Sequence, residues 1–420
     1  MIMMMSLILA SAAIAQPDTL RLDECYMLAK SLSPLNKQGL LNDSIFDLNI
    51  ENRRTNYLPS VSLSGKATYQ SEVISIPGTG MIQDYPQIPK EQFQVGLDIS
   101  QNLYDGGLTR NSKELEESSW ILARSKLETE LYSLQSTINE LYFSILQLQE
   151  NANVLHTSLE TLENQQKIIS FKVREGVILE NNLNQIKKRI LTLQQDILSV
   201  EADRNAQMAI LSMWIGQPVR QETILSLPDF EEDRTITEIN RPENMMFQAR
   251  RSFLESQRSF VNVENAPKFS AFAQGGIGQP NPVNFFEVDP STYYILGLRM
   301  NWPIFNWGNS SRQKQVYALQ QDIINSEESD FDRNIRMVIT RLYANAGKLE
   351  AVIKKDEEII DLQEKIVHTA FSEFQNGVIN STDYLAEMNA LTEAEIKRSI
   401  HKIKLAETQV TIYTVSGQEF

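Results

Sequence analysis

The sequence predicts an α+β protein made of four alternating strands and two very long antiparallel helical hairpins, the whole pattern written twice. Three observations carry this prediction. Four glycine landmarks recur at one offset of 201 residues, Gly96 with Gly297, Gly107 with Gly308, Gly176 with Gly377 and Gly216 with Gly417. The text around them matches as well, Leu103-Tyr104-Asp105 against Ile304-Phe305-Asn306 and Gly176-Val177-Ile178 against Gly377-Val378-Ile379. One gapless register over such a span means two copies of one structural unit. The second observation is a stretch from Gly107 to Gly176 without internal proline or glycine, repeated between Gly308 and Gly377 with Gly347 as the one exception. The third is strict apolar/polar alternation in short segments ahead of each long stretch, which is the period of a strand.

Taken in chain order, residues 1–15 are expected to be a signal peptide. They are apolar and end Ala13-Ile14-Ala15 before Gln16, the small-x-small pattern of a cleavage site, although no Lys or Arg precedes the apolar core. Copy one is assigned to residues 16–216, a connector to 217–242 and copy two to 243–420. Each copy reads as helix, two strands, long helix, glycine turn and returning helix. Cys25 is the single cysteine, which rules out an intrachain disulfide and a cysteine metal cluster, and the acids at Asp23 and Glu24 beside it do not suit lipid attachment. No later stretch approaches 18 uninterrupted apolar residues, so no transmembrane helix is expected. The formal charge of -15, with no basic run, argues against nucleic acid and against anionic lipid headgroups.

The strands are legible from period two. Val61 to Tyr69 and Phe93 to Ser100 alternate without a fault, and Phe269-Ser270-Ala271 opens a shorter, glycine-rich version. Tyr294 to Trp302 puts Leu296, Leu298 and Met300 on one face and Gly297, Arg299 and Asn301 on the other. Alternation alone fits either a half-buried soluble sheet or lipid-facing strands whose polar side lines a lumen. Aromatic residues gather at the strand margins (Tyr57, Tyr69, Phe93, Tyr104, Tyr293, Tyr294, Trp302, Phe305, Trp307), as in outer-membrane strands, and favour the membrane reading. On that reading Lys66, Asp98 and Arg299 face the lumen. Four strands are too few to close a barrel within one chain. The loops centred on Pro77 to Pro89 and Pro280 to Pro290 read as surface loops.

A helix spanning the glycine-free stretch runs about 100 Å at 1.5 Å per residue. Leu131, Leu134, Ile138, Leu141, Ile145, Leu148, Ala152, Leu155, Leu159 and Leu162 follow the 3-4 spacing of a coiled coil. Leu183, Ile186, Ile190, Leu193, Ile197 and Val200 repeat it on the returning helix. Copy two keeps the pattern loosely, through Ile335, Val338, Leu342, Leu349, Val352, Ile359 and Ile366. Asn345, Asp356 and Gln363 interrupt it, so looser packing is expected there.

The turns read Phe171 to Leu183, through Arg174, Gly176 and Val177, and Phe374 to Leu385, through Gly377, Val378, Ser381, Thr382 and Asp383. With Leu20-Arg21-Leu22-Asp23-Glu24, Ser33-Pro34, Tyr57-Leu58-Pro59-Ser60-Val61 and Tyr104-Asp105-Gly106-Gly107, they make the mature chain resemble the TolC family of outer-membrane efflux and secretion proteins. The second tip is close to the family's tip motif. The first departs from it, with Glu180-Asn181-Asn182-Leu183 in place of a Thr-Asp-Val-like sequence. The resemblance implies a homotrimer in the outer membrane of a Gram-negative bacterium, reaching into the periplasm, each chain lending four strands to one shared β-barrel. It implies that the tips, at Arg174, Gly176, Val177, Gly377, Val378, Ser381, Thr382 and Asp383, dock onto a periplasmic membrane-fusion or adaptor protein. That adaptor would couple the tube to an inner-membrane transporter of the RND or ABC type, and substrates would pass passively to the outside.

Glu373, Asp383 and Glu387 are candidates for a constriction ring that would attract cations, although a solvated helix face is the more common explanation of such acids. No nucleotide-binding loop, nucleophile elbow or metal signature is present, so no enzyme activity and no cofactor are expected. His156, His368 and His401 read as surface or interhelical residues. A periplasmic coiled-coil adaptor or structural protein without a channel is the alternative function, and an exported enzyme on this scaffold a third; the four strands with aromatic margins disfavour the adaptor, and no clustered site supports the enzyme. Substrate identity is not written in the chain.

Overall fold

The computed structural model describes residues 19–74, 87–228 and 238–418. The expected signal peptide, most of the Pro77 to Pro89 loop and the acidic run Glu231-Glu232-Asp233 lie outside them. Among the described residues the chain forms β1 (Thr19–Leu20), α1 (Leu22–Leu32), α2 (Leu35–Arg54), β2 (Ser60–Tyr69), β3 (Glu91–Tyr104), α3 (Leu108–Arg174) and α4 (Glu180–Ile215). It continues with β4 (Ile224–Leu225), α5 (Pro242–Glu264), β5 (Lys268–Gln279), β6 (Ser291–Asn301), α6 (Asn309–Gln375) and α7 (Ser381–Ser416). α3 and α6 are 67 residues each, α4 and α7 36 each. The chain divides into two compact units, each drawing on both halves of the sequence.

One unit holds residues 38–126 and 245–328. Its sheet is antiparallel throughout, in the order β2-β3-β5-β6, so neighbours in sequence are neighbours in space except where β5 joins β3 across the two copies. Each strand pair leaves from a helix and returns to one, and the step from strand to helix has a specific cap. Asp105 lies between β3 and α3, buried. Its Oδ1 accepts from the Tyr57 hydroxyl and the Gly107 N–H, both at 2.9 Å, and its Oδ2 from the Thr109 N–H at 2.7 Å. Orphan N–H groups of the first helical turn are thereby satisfied. Burial pushes the Asp105 carboxyl up, but the hydrogen bonds from Thr109, Tyr57 and Gly107 outweigh it and hold the group below the usual aspartate range. In copy two Asn306 stands at the same step, and its Nδ2 donates to Asn265 Oδ1 at 2.8 Å and to Ser310 Oγ at 2.5 Å. α2 is tied to α3 by Arg53 on Glu116 at 2.8 Å, by Trp120 Nε1 donating to Asp43 at 2.7 Å, and by Phe46 stacked on Trp120. α5 is tied to α6 by Arg250 on Glu327 and Arg251 on Glu328.

The other unit contains, of the described residues, 19–37, 127–228, 238–244 and 329–418. One of its cores joins Leu22, Cys25 and Ala29 of α1 to Ile138, Tyr142 and Ile145 of α3, Met208 and Leu211 of α4, and Ile403 and Val410 of α7. Cys25 is fully enclosed, and burial pushes its thiol up to about 12. The connector is not plain coil. β4 pairs with β1 in parallel, and the Tyr142 hydroxyl, reaching the carbonyls of Leu20 and Ser226 at 2.9 and 2.6 Å, clips the two together.

The heptad positions of the first hairpin are buried or half-buried throughout. The second hairpin departs from the expectation by one residue. Ile359 and Ile366 are exposed, 52% and 45%, while Ile360 and Val367 go inside at 4% and 8%. Each is an adjacent apolar pair, and a 3-4 spacing fits either member; only the partner helix decides. The three polar interruptions are all matched on α7: Asn345 Nδ2 donates to Thr408 Oγ1 at 3.1 Å, Asp356 Oδ2 meets His401 Nδ1 at 2.6 Å, and Gln363 Nε2 donates to Glu387 Oε2 at 2.8 Å.

Candidate functional site

Two regions carry the sequence-predicted site residues, the sheet and the hairpin tips. In an antiparallel ladder directly opposed residues share a face, so the register sorts the sheet. Lys66 opposes Gln94, Asp98 opposes both Ser62 and Gln274, and Arg299 opposes Ser270. All three predicted lumen residues therefore lie on one face, among Ser64, Gln94 and Gln274. Asp98 accepts from Ser64 Oγ and from Gln274 Nε2, both at 2.6 Å. Arg299 lies over the Phe272 ring at 5.0 Å.

That face needs glycine in two places. A Cβ on Gly96 would stand 2.7 Å from the Tyr293 hydroxyl, and one on Gly297 would stand 2.7 Å from the Phe272 ring. The Tyr293 hydroxyl and the Phe272 ring thus lie against these glycines, and Gln94 Nε2 donates to the Tyr293 hydroxyl at 2.6 Å. Hence the repeat landmarks Gly96 and Gly297 are places where an aromatic side chain crosses the backbone.

The opposite face carries Val61, Leu63, Val95, Leu97 and Ile99, then Leu296, Leu298 and Met300, all exposed. Leu298 reaches 77%. Aromatic residues sit at both ends of this band, Tyr69 and Tyr294 at one and Trp302, Phe305 and Trp307 at the other. An apolar band between aromatic margins, backed by a polar face, is the pattern of an outer-membrane sheet. Among the described residues, neither β2 nor β6 has a partner on its outer edge. No described helix is long and apolar enough to cross a membrane.

At the tips, Gly176 and Gly377 have φ of 74° and 75°, the left-handed conformation that ends a helix and that side chains resist. The N–H groups of Val177 and Val378 return to the carbonyls of Lys172 and Glu373 at 3.0 and 2.9 Å. Asn380 caps α7, accepting from the N–H groups of Thr382 and Asp383 at 2.8 and 3.0 Å. Arg174, Val177, Val378, Thr382, Asp383 and Glu373 are exposed. Ser381 is enclosed: its hydroxyl and N–H both donate to Asn182 Oδ1, at 2.8 and 3.3 Å. Glu387 is half-buried against Gln363. The acids are thus not gathered in one chain: Glu373 and Asp383 are surface residues at the turn, and Glu387 belongs to the hairpin seam.

The two hairpins meet in contacts the sequence reading did not find. Ser158 and Thr392 share a hydroxyl hydrogen bond of 2.9 Å, Gln165 accepts from the Tyr384 hydroxyl, and Lys172 Nζ donates to the Gln375 carbonyl at 3.0 Å. The Tyr384 ring stacks on Phe374. The positions on α3 repeat every seven residues, and that spacing of polar residues beside the leucine seam is the signal that would have revealed them. His156 meets Glu201 at 3.1 Å and His401 meets Asp356, bonds between helices, while His368 is exposed. Among the described residues no group of His, Cys, Asp or Glu could hold a metal ion.

Residues 46–217 match the family described as outer membrane efflux protein. No curated protein matches the chain by sequence. The fold is similar to that of the outer membrane protein VceC of Vibrio cholerae, with a TM-score of 0.64 and 15% identity, covering 94% of this chain and 96% of that one. It is similar to the CmeC outer membrane channel of Campylobacter jejuni (0.65, 16% identity, 94% and 85% covered). It is also similar to the open state of the MtrE outer membrane channel of Neisseria gonorrhoeae (0.66, 16% identity, 95% and 89% covered).

Proposed function

From the match of residues 46–217 to the outer membrane efflux protein family, we propose that the chain belongs to that family, resides in the outer membrane and is the exit duct of a tripartite efflux pump or type I secretion system. In this reading three copies each lend one four-stranded sheet to a shared barrel, and the long hairpins extend into the periplasm as a tunnel. Substrates move passively, driven by an inner-membrane transporter of the RND or ABC type through a periplasmic adaptor.

The observation that carries this reading is the sheet itself. One face is apolar and exposed along its length, the other is polar, and among the described residues both edges are open. In hydrocarbon each unpaired backbone N–H or C=O costs several kcal/mol, so a lipid-facing sheet with two open edges has to be closed by further copies pairing β2 of one with β6 of the next. A soluble adaptor has no use for such an apolar band. The matched family is one of outer membrane efflux proteins, and the similar folds include outer membrane channels.

Docking is assigned to the exposed tip residues Arg174, Val177, Val378, Thr382 and Asp383, with Gly176 and Gly377 shaping the turns and Ser381 holding one tip to the other. Electron microscopy of the protein extracted by detergent from outer membranes tests the whole reading. A threefold particle with a short barrel and a long helical extension supports it; a compact monomer recovered without detergent overturns it in favour of an adaptor. Charge reversal at Asp383 tests docking by itself: unchanged efflux and unchanged crosslinking to the adaptor would remove the tips from that role.

A further inference from the structure

The β5–β6 loop lies at the end of the sheet away from α5 and α6, and two contacts show which way it leans. Gly278 opposes Gln94 and Ser291, residues of the polar face. A Cβ on Gly278 would stand 2.8 Å from the ring of Pro282, so Pro282 rests on that same face. Asn281 Nδ2 donates to Ser291 Oγ at 2.8 Å, again on the polar side. The loop therefore curls over the polar face of the sheet and away from the apolar one.

It is also held in one shape. Buried Asn281 accepts from the N–H groups of Val283 and Asn284 at 2.9 and 3.1 Å, and its own N–H donates to the Glu287 carbonyl at 3.0 Å. What this frame displays is apolar: Val283, Phe285 and Phe286 are exposed, 57%, 63% and 60%. Surface turns are ordinarily built from polar residues, and three large apolar side chains on a pinned loop call for an environment of their own.

We propose that Val283, Phe285 and Phe286 form an apolar collar at the outer mouth of the channel, narrowing the lumen and favouring passage of solutes with apolar surface. The collar rests on the channel reading above. Where the polar face lines a lumen, a loop leaning over that face lies across its opening, and symmetry-related copies bring their rings toward one axis. Apolar constrictions in an otherwise polar pore hinder water and ions, while polar linings pass them.

Thiol chemistry tests this in the full chain, because the native Cys25 is fully enclosed with its thiol pushed up to about 12 and will not compete with an introduced cysteine. Phe285→Cys and Phe286→Cys proteins, with Tyr294→Cys on the apolar face as control, are reconstituted in planar bilayers and treated on the outer side with a bulky charged methanethiosulfonate. The collar predicts that labelling at 285 or 286 lowers single-channel conductance to roughly half or less, that the unlabelled Phe→Cys channels conduct more than wild type, and that labelling at 294 changes nothing. Complete labelling at 285 and 286, verified by mass, with conductance unaltered would place the loop outside the conduction path and overturn the collar. Wild-type protein that inserts as a closed barrel and conducts nothing would overturn the channel reading itself, and the collar with it.

Discussion

Asp105 gathers three hydrogen bonds into one buried carboxylate, and the arrangement makes the start of α3 sensitive to charge. Its folded pKa lies below the ordinary aspartate value of about 3.9. The carboxylate thus contributes stability above that value, and the contribution is lost as pH falls through the folded pKa. Asp105→Asn is expected to destabilise the protein by about 1–2 kcal/mol at neutral pH, the magnitude of a lost helix cap, and by progressively less as pH falls below the ordinary aspartate value. Thermal unfolding followed by circular dichroism across pH checks this; a deficit that does not shrink on acidification would contradict it. Gly297 offers a second test. A Cβ there meets the Phe272 ring, so Gly297→Ala should push the ring off Arg299 and cost about 1–3 kcal/mol, read as a lower temperature for loss of the folded band in unboiled gel samples. Both glycines could be picked out from the sequence as landmarks of the repeat. The rings above them could not, because Gly96 and Tyr293 are brought together by strands from different copies.

Among the elements, the two hairpins solve one packing problem with different chemistry. The first seam is apolar from Leu131 to Leu162; the second carries Asn345, Asp356 and Gln363, each with a partner on α7. Asp356 and His401 correspond by the repeat to Leu155 and Val200. A half-buried polar pair is costly to break and cheap to replace whole. His401→Val alone is therefore expected to lower helix stability by about 1–3 kcal/mol, leaving a carboxylate without its partner, while the double change Asp356→Leu with His401→Val restores or raises it. Chemical denaturation followed by far-ultraviolet circular dichroism decides the matter, and equal losses in single and double variants would show that the pair is not coupled. The heptads were plain in the sequence because a 3-4 spacing is local. Its register in α6 was ambiguous, since Ile359-Ile360 and Val367 with Ile366 offer two adjacent stripes and the choice belongs to the helix opposite.

Across the whole molecule the division of the sheet into two faces governs where the protein can reside. Leu298 and Arg299 are neighbours in sequence and lie on opposite faces. Leu298→Arg is expected to cost about 2–4 kcal/mol near the bilayer midplane and to reduce the amount recovered in outer membranes sharply. Arg299→Leu should leave that amount unchanged and alter only conduction. Fractionation of the two variants side by side checks the assignment, and the opposite ranking would reverse the faces.

Periodicity and glycine spacing by themselves determined the element order, the lengths of the helices and the alternation that separates Lys66, Asp98 and Arg299 from their apolar neighbours, because each of these is a property of a few consecutive residues. The tertiary structure decided that β3 pairs with β5, that β4 closes on β1, that Ser381 turns inward to Asn182, and that the Asn281 loop leans over the polar face. These depend on which groups meet across long separations in sequence, where a hydrogen bond or a ring over a glycine is favourable only once the partner has arrived, and no local pattern records the partner.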